Sequence, residues 1–326
     1  MTSKATTQAA PRLSASVVLL RRKQAPSAGV KSSAERAGVT KGAKAAAEND
    51  FEVLLAQRSS KMKAFSSMYV FPGGVAEDGD AGVASAYGGQ DKVDAAKLTG
   101  IRELFEEAGV LLTAQDNKPG HAQAVVISKE ETKEWQKRVH DDAAQFKPML
   151  EKYRQAPALS ALHYWITFIT PVIEKHRFHA NFFVAVVDNA EISLDGGETV
   201  RYTWASPREA LDRHAAGKMA LLPPQFYVLS ALSEFARVND LIESAAKRKP
   251  RLPIQPHAIP SKVDDRLTLV YPGDAKHPDY PGDASDVRRI HCSIPFGSGG
   301  YKWECNLEEE PTHESWLAAH PKASAL

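Results

Sequence analysis

One helical segment of this chain carries three glutamates on a single face, and this limits the folds and functions open to the chain. Apolar residues recur there at helical spacing. They are Ile101, Leu104, Phe105 and Ala108. Gly109 follows as a stop signal, and the opposite face carries Glu103, Glu106 and Glu107. Like charges at this spacing destabilise an isolated helix by roughly 0.2–0.5 kcal/mol per pair, so the cluster favours a compensating cation.

Two interpretations of this acidic face are open. Neighbouring glutamates on a helix usually form nothing more than a solvated surface. The alternative is a site for a hard divalent metal such as Mg²⁺, which takes oxygen ligands where carboxylates meet substrate phosphates. Arg102 precedes the first glutamate and is suited to fixing the orientation of a carboxylate. The Gly73-Gly74 pair upstream and the Gly109-Val110 ending favour the metal site.

The same residues resemble a known family. Residues 102–110 are similar to the second half of the Nudix box, Arg-Glu-hydrophobic-x-Glu-Glu-x-Gly-hydrophobic, and residues 71–74 resemble its Phe-Pro-Gly-Gly opening. Five residues separate this opening from Asp80, which stands where the box usually has glutamate. The spacer that follows is 14 residues longer than usual, and such a loop insertion costs little free energy. An alignment without the insertion would instead use Gly88 and Asp94.

This resemblance implies a site and a chemistry. The implied metal ligands are Gly73, through its carbonyl, and the carboxylates of Glu103, Glu106 and Glu107. They would hold Mg²⁺ or Mn²⁺ and thereby activate a water against a diphosphate. Glu103 is the implied general base and Arg102 belongs to the same catalytic group. A bound cation favours ionised carboxylates, so all three glutamates are expected to be charged near neutrality.

Two further parts of the sequence contain candidate site residues, and each also has an interpretation without a functional role. Nudix enzymes often use an additional acid from a loop opposite the box, and Glu198 is the candidate here, with a surface glutamate without a role as the favoured alternative. Arg58-Ser59 and Lys61 resemble the segment upstream of the box in coenzyme A-cleaving members. Their cations suit a 3′-phosphate or a diphosphate, and exposed charges at the exit of a hairpin are the alternative.

A later segment narrows the resemblance to one branch. A Trp-x-Ser-Pro helix start at 204–207, Pro-Pro-Gln-Phe-Tyr at 223–227 and Ile-Thr-Pro at 169–171 are similar to the nucleoside diphosphate-linked moiety X motif nineteen proteins. Animal members are peroxisomal coenzyme A diphosphatases. The branch implies cleavage of coenzyme A or acyl-coenzyme A into adenosine 3′,5′-bisphosphate and (acyl-)4′-phosphopantetheine. A pyrophosphatase for ADP-ribose, dinucleotides or capped RNA, and a non-catalytic nucleotide-binding module, remain alternatives.

Composition excludes several other classes of protein. The 326 residues include 41 basic and 40 acidic ones, which argues against a nucleic-acid arm or a polybasic membrane anchor. No apolar run approaches the roughly 18 residues that span a bilayer. Two cysteines, Cys292 and Cys305, make a disulfide framework improbable and indicate a reducing compartment. The expected partner is a small nucleotide of the coenzyme A type, with no DNA and no membrane span.

The predicted fold is α/β, a Nudix-type α/β/α sandwich with a mixed curved sheet and a loop-helix-loop box. The predicted parts are a flexible tail 1–11, a Nudix domain 12–240 and a C-terminal extension 241–326 packed on it. Within the domain we expect a mobile loop at 24–50, an inserted loop at 81–93 and a helical insertion at 129–154 over the site.

Individual elements follow from periodicity and capping signals. The predicted strands span 15–20, 51–56, 164–169, 178–187 and 200–204, and a hairpin joins 290–294 to 301–305. The predicted helices run from an N-cap at Asp94 to Ala108, over 129–154 with a break near Pro148, from Ser206-Pro207 onward, and over 225–249.

The cellular location is predicted from targeting signals in the sequence, not from the physical chemistry of the chain. Residues 1–11 have the composition of a transit peptide but run directly into a strand. Ser324-Ala325-Leu326 has the serine and leucine of a Ser-Lys-Leu signal without its basic residue. Together with the resemblance this favours the peroxisome, with the cytoplasm as the alternative.

Overall fold

A computed structural model describes residues 10–23, 48–61, 66–115, 121–194, 197–260, 266–279, 281–282, 288–293 and 302–305. Its strands are β1 (Arg12–Arg22), β2 (Phe51–Arg58), β3 (Tyr69–Val70), β4 (Gly73–Val75), β5 (Leu111–Ala114), β6 (Ala122–Val125), β7 (His163–Ile169), β8 (Phe178–Val187), β9 (Thr199–Ala205), β10 (His257–Pro260), β11 (Arg266–Val270), β12 (Arg289–Ser293) and β13 (Lys302–Cys305). Its helices are α1 (Asp80–Ala86), α2 (Lys92–Ala108), α3 (Lys129–Asp141), α4 (Phe146–Lys152), α5 (Pro207–Ala215), α6 (Pro223–Ser233) and α7 (Val238–Ala246). Most of the predicted tail and loop at 1–11 and 24–50, and the ending at 324–326, lie outside the described residues.

The main sheet is mixed, as predicted. Its strands run in the order β3-β2-β1-β8-β7, with β4 also paired to β1 and β9 to β2. The central pair β1 and β8 is parallel, whereas β1 pairs with β2 and β7 with β8 in antiparallel fashion. The predicted hairpin of the first two strands and the three later strands are therefore confirmed.

Two hydrophobic cores lie on the two faces of this sheet. Successive residues of β1 alternate between them, with Val18 and Leu20 in one core and Val17 and Leu19 in the other. Because strand side chains point alternately to opposite faces, the two cores are separated by the sheet. Helices α5, α6 and α7 pack in the first core, and α2, α3 and α4 in the second. This arrangement confirms the predicted α/β/α sandwich.

Helix α2 begins earlier than predicted. Its N-cap is Asp91, whose side chain accepts hydrogen bonds from the backbone N–H groups of Val93 and Asp94, so the assignment of Asp94 as N-cap is wrong. Gly109 ends the helix as predicted. It has a left-handed φ of 68°, and a Cβ there would lie 2.8 Å from side-chain atoms of Thr132 and Ser193.

Part of the predicted inserted loop at 81–93 is helical instead. Helix α1 occupies residues 81–86 of it and buries Val83 and Ala84 in the core beside α2. The Gly- and Ala-rich composition suggested a loop, but burial against a neighbouring helix outweighs such weak local preferences. The segment therefore forms a helical pair with α2.

The predicted break in the helix of 129–154 is at a different residue. The chain leaves α3 at Asp142, which has an extended backbone and caps the next turn by accepting from the N–H of Ala144. Pro148 lies in the first turn of α4, where a missing N–H costs nothing because no intrahelical acceptor is available to it. The break is thus a capping effect and not a proline effect.

The single helix predicted over 225–249 is two helices, α6 and α7. The segment between them is held by the chain just before β2. The Asn49 side chain donates to the carbonyl of Phe235 at 2.7 Å, and the Asp50 carboxylate accepts from the N–H of Val238 at 2.7 Å. These long-range contacts satisfy backbone groups that a continuous helix would have satisfied itself, and they are not visible in a local pattern.

The segment after α7 joins the main sheet and its first core. Ile254 pairs with the edge strand β7, donating to the carbonyl of Thr167 and accepting from the N–H of Ile169, both at 2.8 Å. Strands β10 to β13 form an antiparallel sheet that contains the predicted hairpin. Four buried residues of the segment after α7 belong to the first core, namely Ala258, Leu269, Tyr271 and Ile290. Among the described residues, no helix is long and apolar enough to cross a membrane.

Candidate active site

Close packing holds α2 against the main sheet. A Cβ at Gly74 would lie 2.4 Å from a carboxylate oxygen of Glu103, so a glycine is required for the carboxylate to rest on strand β4. Strand β4 in turn pairs with β1, with Gly73 opposite Ser16. The glutamate-bearing helix and the Phe-Pro-Gly-Gly segment are therefore fixed to each other by the fold.

A buried ion pair organises the first carboxylate position. Arg102, 2% exposed, donates from Nε and Nη2 to the two oxygens of Asp80 at 2.8 and 3.0 Å. Asp80 also accepts from the hydroxyl of Thr99 at 2.8 Å, and Arg102 donates to the carbonyl of Val75 at 2.8 Å. This bidentate geometry is the strong form of an arginine–carboxylate pair and fixes the guanidinium in place.

The geometry favours Asp80 over the in-register alternative. The Asp94 carboxylate accepts hydrogen bonds from Lys97 and from the backbone N–H of Gln90 near the surface. These hydrogen bonds do not involve Arg102. Gly88 has a left-handed φ of 87° in the turn after α1, with open space around it. The two residues thus serve the local turn and the start of α2.

Arg102 also orients two of the three glutamates. Its Nη1 donates to Glu103 at 2.9 Å and to Glu106 through a short hydrogen bond. The third, Glu107, accepts from the backbone N–H of Gly73 at 3.1 Å. The three predicted carboxylates therefore face a common region with Gly73 beside them.

Burial raises the pKa of all three glutamates. For Glu103 burial is the largest cause, Arg102 opposes it and Glu106 adds to it, and the pKa rises to about 7. Burial likewise raises the pKa of Glu106 against the opposing charge of Arg102. The pKa of Glu107 is raised well above its usual range by burial and then by Glu103. Without a cation, Arg102 does not offset the desolvation of these carboxylates. The expectation that all three are ionised concerns the cation-bound site and stays a prediction.

The donor set fits a hard divalent cation, with one condition. Carboxylate oxygens are the ligands that Mg²⁺ and Mn²⁺ prefer, and the mutual repulsion of these glutamates would be relieved by positive charge. In the part of the chain that the structure describes, no three acidic, histidine or cysteine side chains already converge as a ligand group. Glu103 and Glu106 are turned toward Arg102 and Glu107 toward Gly73, so ligation requires these side chains to rotate.

The carboxylates line a cleft of about 1520 Å³. Its walls come from both faces of the sheet and from the segment after α7. The ionisable groups of the predicted site that line it are Arg58, Arg102, Glu103, Glu106, Glu107 and Glu198. A cleft of this size accommodates a nucleotide-sized ligand with an extension.

Comparison with known proteins assigns the family. A model of the NUDT19 Nudix domain matches residues 90–232, which include α2 and its glutamates. A putative nudix hydrolase 7 from Caenorhabditis elegans is 32% identical over 228 residues, covering 70% of this chain and 70% of that protein. This chain belongs to the Nudix hydrolase family.

Other relatives narrow the position within the Nudix family. A Xenopus laevis protein called acyl-coenzyme A diphosphatase NUDT19 is 28% identical over 289 residues, covering 75% of this chain and 76% of that protein. A Gallus gallus protein of the same name is 28% identical over 292 residues. The chain is therefore similar to NUDT19 proteins, both in the matched domain and over most of its length.

A solved Nudix structure agrees with the fold. The crystal structure of a NUDIX hydrolase from Alicyclobacillus acidocaldarius superposes with a TM-score of 0.57 at 23% identity, covering 74% of this chain and 99% of that one. This similarity concerns the fold alone. Family and fold together identify the protein as a Nudix hydrolase that acts on diphosphate bonds.

The predicted substrate residues of this Nudix hydrolase are only partly in the cleft. Arg58 lines it, and in the described structure its buried Nε has no hydrogen-bond partner. Ser59 and Lys61 do not line the cleft. Ser59 is buried and accepts from the backbone N–H of Lys61, while Lys61 is exposed. Glu198 lines the cleft, and its charge contributes to the raised pKa of Glu107.

Sequence reasoning missed several residues that build the Nudix site. Gln136 of α3 donates to the carbonyls of Glu106 and Ser193 at 3.0 and 3.1 Å and so fixes α3 to the end of α2. The hydroxyl of Tyr202 donates to the carbonyl of Glu107 through a short hydrogen bond. One signal was available, because Gln136 follows Trp135 and precedes Val139 on the apolar side of α3, where a buried amide needs partners.

Proposed function

We propose that this Nudix hydrolase cleaves the diphosphate of coenzyme A or acyl-coenzyme A. The products would be adenosine 3′,5′-bisphosphate and 4′-phosphopantetheine or its acyl derivative. The observation that carries this substrate is the similarity, over about three quarters of both chains, to a relative called acyl-coenzyme A diphosphatase. The carboxylate-lined cleft with an unpartnered buried arginine nitrogen supports it independently.

The proposed cofactor is Mg²⁺ or Mn²⁺. Glu103, Glu106 and Glu107, with the carbonyl of Gly73, would hold it. Such an ion polarises phosphoryl oxygens and makes a bound water more acidic. Arg102 is the positioning residue, since its Nη1 contacts two of these carboxylates and Asp80 fixes its guanidinium.

Glu103 is the proposed general base. Its carboxylate would accept a proton from the water that attacks a phosphorus atom of the diphosphate. Burial brings its pKa to about 7, which matches a group that exchanges protons near neutral pH. Glu198 lies in the same cleft and is the candidate for an additional acid beside Glu107.

Arg58 is the proposed binding group for the diphosphate. It lines the cleft, its Nε is a buried donor without a partner in the described structure, and its charge acts on Glu107. An oxyanion is the partner that such a donor favours, and the effect of the Arg58 charge on Glu107 supports a position near the reacting phosphates.

One substrate screen tests this function. Purified protein is incubated with Mg²⁺ or Mn²⁺ and each of coenzyme A, acetyl-coenzyme A, ADP-ribose, a dinucleoside polyphosphate and capped RNA, and products are separated by chromatography. We expect adenosine 3′,5′-bisphosphate from the coenzyme A substrates, and none in excess chelator. Hydrolysis of ADP-ribose without hydrolysis of coenzyme A would overturn the substrate. Binding without any hydrolysis would indicate a non-catalytic module.

The proposed location is the peroxisome, with the cytoplasm as the alternative. It rests on the family resemblance alone. Imaging of a fluorescent fusion at the N-terminus together with a peroxisomal marker tests it, and diffuse fluorescence would contradict it.

A further inference from the structure

Two chemically different groups of residues line the cleft, and each adjoins the glutamates. The first lies at the end of α3, where Lys133, Lys137 and His140 line the cleft together with Asp141 and Asp142. His140 lies 3.7 Å from a carboxylate oxygen of Glu106, which places this basic end directly beside the glutamates. Lys137 shares its charge with Asp141. Exposed cations along one helix face suit an anionic part of a ligand.

The second group forms an apolar and aromatic end of the cleft. We call Phe71, Phe182, Phe168, Tyr227 and Tyr271 the aromatic wall. Consecutive members are in ring contact, with centroid distances of 6.1, 5.9, 5.4 and 5.6 Å. All but Tyr227 line the cleft. Phe71 stands two residues before Gly73, whose N–H donates to Glu107, so the wall begins near the glutamates.

The segment after α7 completes this apolar end. Leu269 and Tyr271 belong to the first core and also line the cleft, together with Leu267 and Pro256. Helix α6 contributes Pro223 and Pro224 at its start. This end of the cleft therefore offers contact surface for an uncharged group but little to hold a phosphate.

One polar side chain lines the apolar end, and its acceptor oxygen has to turn outward from a buried position to reach a ligand. Gln225 follows the two prolines on α6, lines the cleft and is only 6% exposed. Its Oε1 is buried, and no described residue hydrogen-bonds to it. A buried amide oxygen without a donor is costly, and most such atoms in folded proteins have a partner. A ligand N–H would supply the missing donor.

We propose that the aromatic wall and Gln225 form the binding site for the pantetheine arm of the substrate, with Gln225 Oε1 accepting from a secondary amide N–H. The inference rests on the proposed coenzyme A substrate and extends it. The arm is uncharged and carries amide donors, which matches an apolar surface with one buried acceptor. The adenosine half carries the 3′-phosphate, and Lys133 and Lys137 of α3 are the cations in the lining that match that charge.

The test separates the two halves of the substrate by using the two products as ligands. Binding of 4′-phosphopantetheine and of adenosine 3′,5′-bisphosphate is measured by calorimetry on wild type and Gln225→Met. Methionine keeps the length and removes the acceptor. We expect about 5- to 10-fold weaker binding of 4′-phosphopantetheine and unchanged binding of adenosine 3′,5′-bisphosphate, the range that one hydrogen bond supplies. Exposed Gln90→Met, outside the cleft, is the matched control.

Each other outcome overturns the inference. Weaker binding of adenosine 3′,5′-bisphosphate alone would assign the aromatic end to the adenine. Equal effects on the two ligands, or no effect on either, would mean that Gln225 does not recognise the pantetheine arm. The same holds if wild type fails to bind 4′-phosphopantetheine. Failure of the proposed function is distinguishable, because it appears as absent hydrolysis of coenzyme A by wild type. If Gln225→Met does not fold, Gln225→Asn, which retracts the acceptor by one methylene, replaces it with the same expected pattern.

Discussion

At the scale of single residues, the site is defined by what holds each of the three glutamates. Arg102 contacts Glu103 and Glu106 but not Glu107, which instead accepts from the backbone of Gly73. Glu107 is thus the carboxylate whose orientation depends on the Phe-Pro-Gly-Gly segment. The residues therefore differ in what a substitution removes, and three predictions follow from that difference.

Glu107→Gln is expected to lower kcat by at least two orders of magnitude while the protein stays folded. The change keeps the volume of the side chain and the acceptor for Gly73 but removes a charged metal ligand. The measurement is steady-state kinetics with coenzyme A and Mg²⁺, with circular dichroism as the check on folding. Exposed Glu130→Gln on α3 is the control and should be unchanged. Normal hydrolysis by Glu107→Gln would mean that these glutamates are not the site.

Arg58→Ala is expected to raise KM for coenzyme A and for dephospho-coenzyme A by a similar factor, about 10-fold. The reason is that Arg58 acts on Glu107 and so lies beside the diphosphate that both substrates share. Exposed Arg201→Ala on β9 is the control. A loss confined to coenzyme A would instead assign Arg58 to the 3′-phosphate.

The raised pKa of Glu103 predicts a pH dependence of stability for the metal-free protein. Its pKa is about 7 in the folded state and about 4.5 as its ordinary value, so between these values the folded state holds a proton that the unfolded state releases. Stability from this residue is therefore present below about pH 4.5 and lost as pH rises to 7. One pKa unit corresponds to about 1.4 kcal/mol, so the loss is of order 1–3 kcal/mol.

The comparison of wild type with Glu103→Gln isolates this effect. Urea unfolding in chelator at pH 5 and pH 8 should show a smaller decrease of the unfolding free energy for Glu103→Gln, because glutamine does not titrate. Glu103→Gln also removes the charge that adds to the raised pKa of Glu107, which makes the pH slope smaller in the same direction. Identical pH slopes would contradict the raised pKa of Glu103.

At the scale of elements, α2 is placed by contacts that come from several parts of the chain. Asp80 at the start of α1 holds Arg102, β4 accommodates Glu103 against Gly74, and Gln136 of α3 holds the carboxyl end of α2. Helix α1 therefore places Asp80, the first carboxylate of the lengthened box, against Arg102. Asp80 is the contact on which the buried charge of Arg102 depends most.

Asp80→Ala is expected to destabilise the protein by about 3 kcal/mol. Removing one partner of a buried ion pair leaves an uncompensated charge, which costs roughly 3–5 kcal/mol, and the remaining contacts of Arg102 reduce this value. The measurement is the free energy of unfolding in urea. Asp78→Ala, at an exposed position two residues earlier, is the matched control and should change it by less than about 0.5 kcal/mol. Equal effects of the two substitutions would exclude the ion pair as a source of stability.

At the scale of the whole molecule, the cleft is assembled from three parts. The sheet and α2 supply the glutamates, α3 supplies the cations, and the segment after α7 completes the aromatic end. That segment is anchored by Ile254, which pairs with the edge strand β7 and is 1% exposed. Its stability is therefore coupled to that of the main sheet.

Ile254→Ala is expected to destabilise the protein by about 2–4 kcal/mol, the usual cost of removing a buried isoleucine side chain. Tryptophan fluorescence and circular dichroism should report one common transition in urea, because the segment shares the first core. Ile173→Ala, at a residue that is 53% exposed, is the control and should have little effect. Two separate transitions would mean that the segment folds independently of the sheet.

The sequence alone determined the properties that depend on local pattern. The glutamate-bearing helix, its Gly109 stop, the central strands and the Ser206-Pro207 helix start follow from periodicity and capping, which act within a few residues. Only the tertiary structure decided which partners meet across the chain. The Asp80–Arg102 pair, the break after α6 held by Asn49 and Asp50, the helix within 81–93 and the unpartnered amide of Gln225 depend on contacts between distant segments. Burial sets the energy of those contacts, and burial is a property of the folded chain that no local pattern contains.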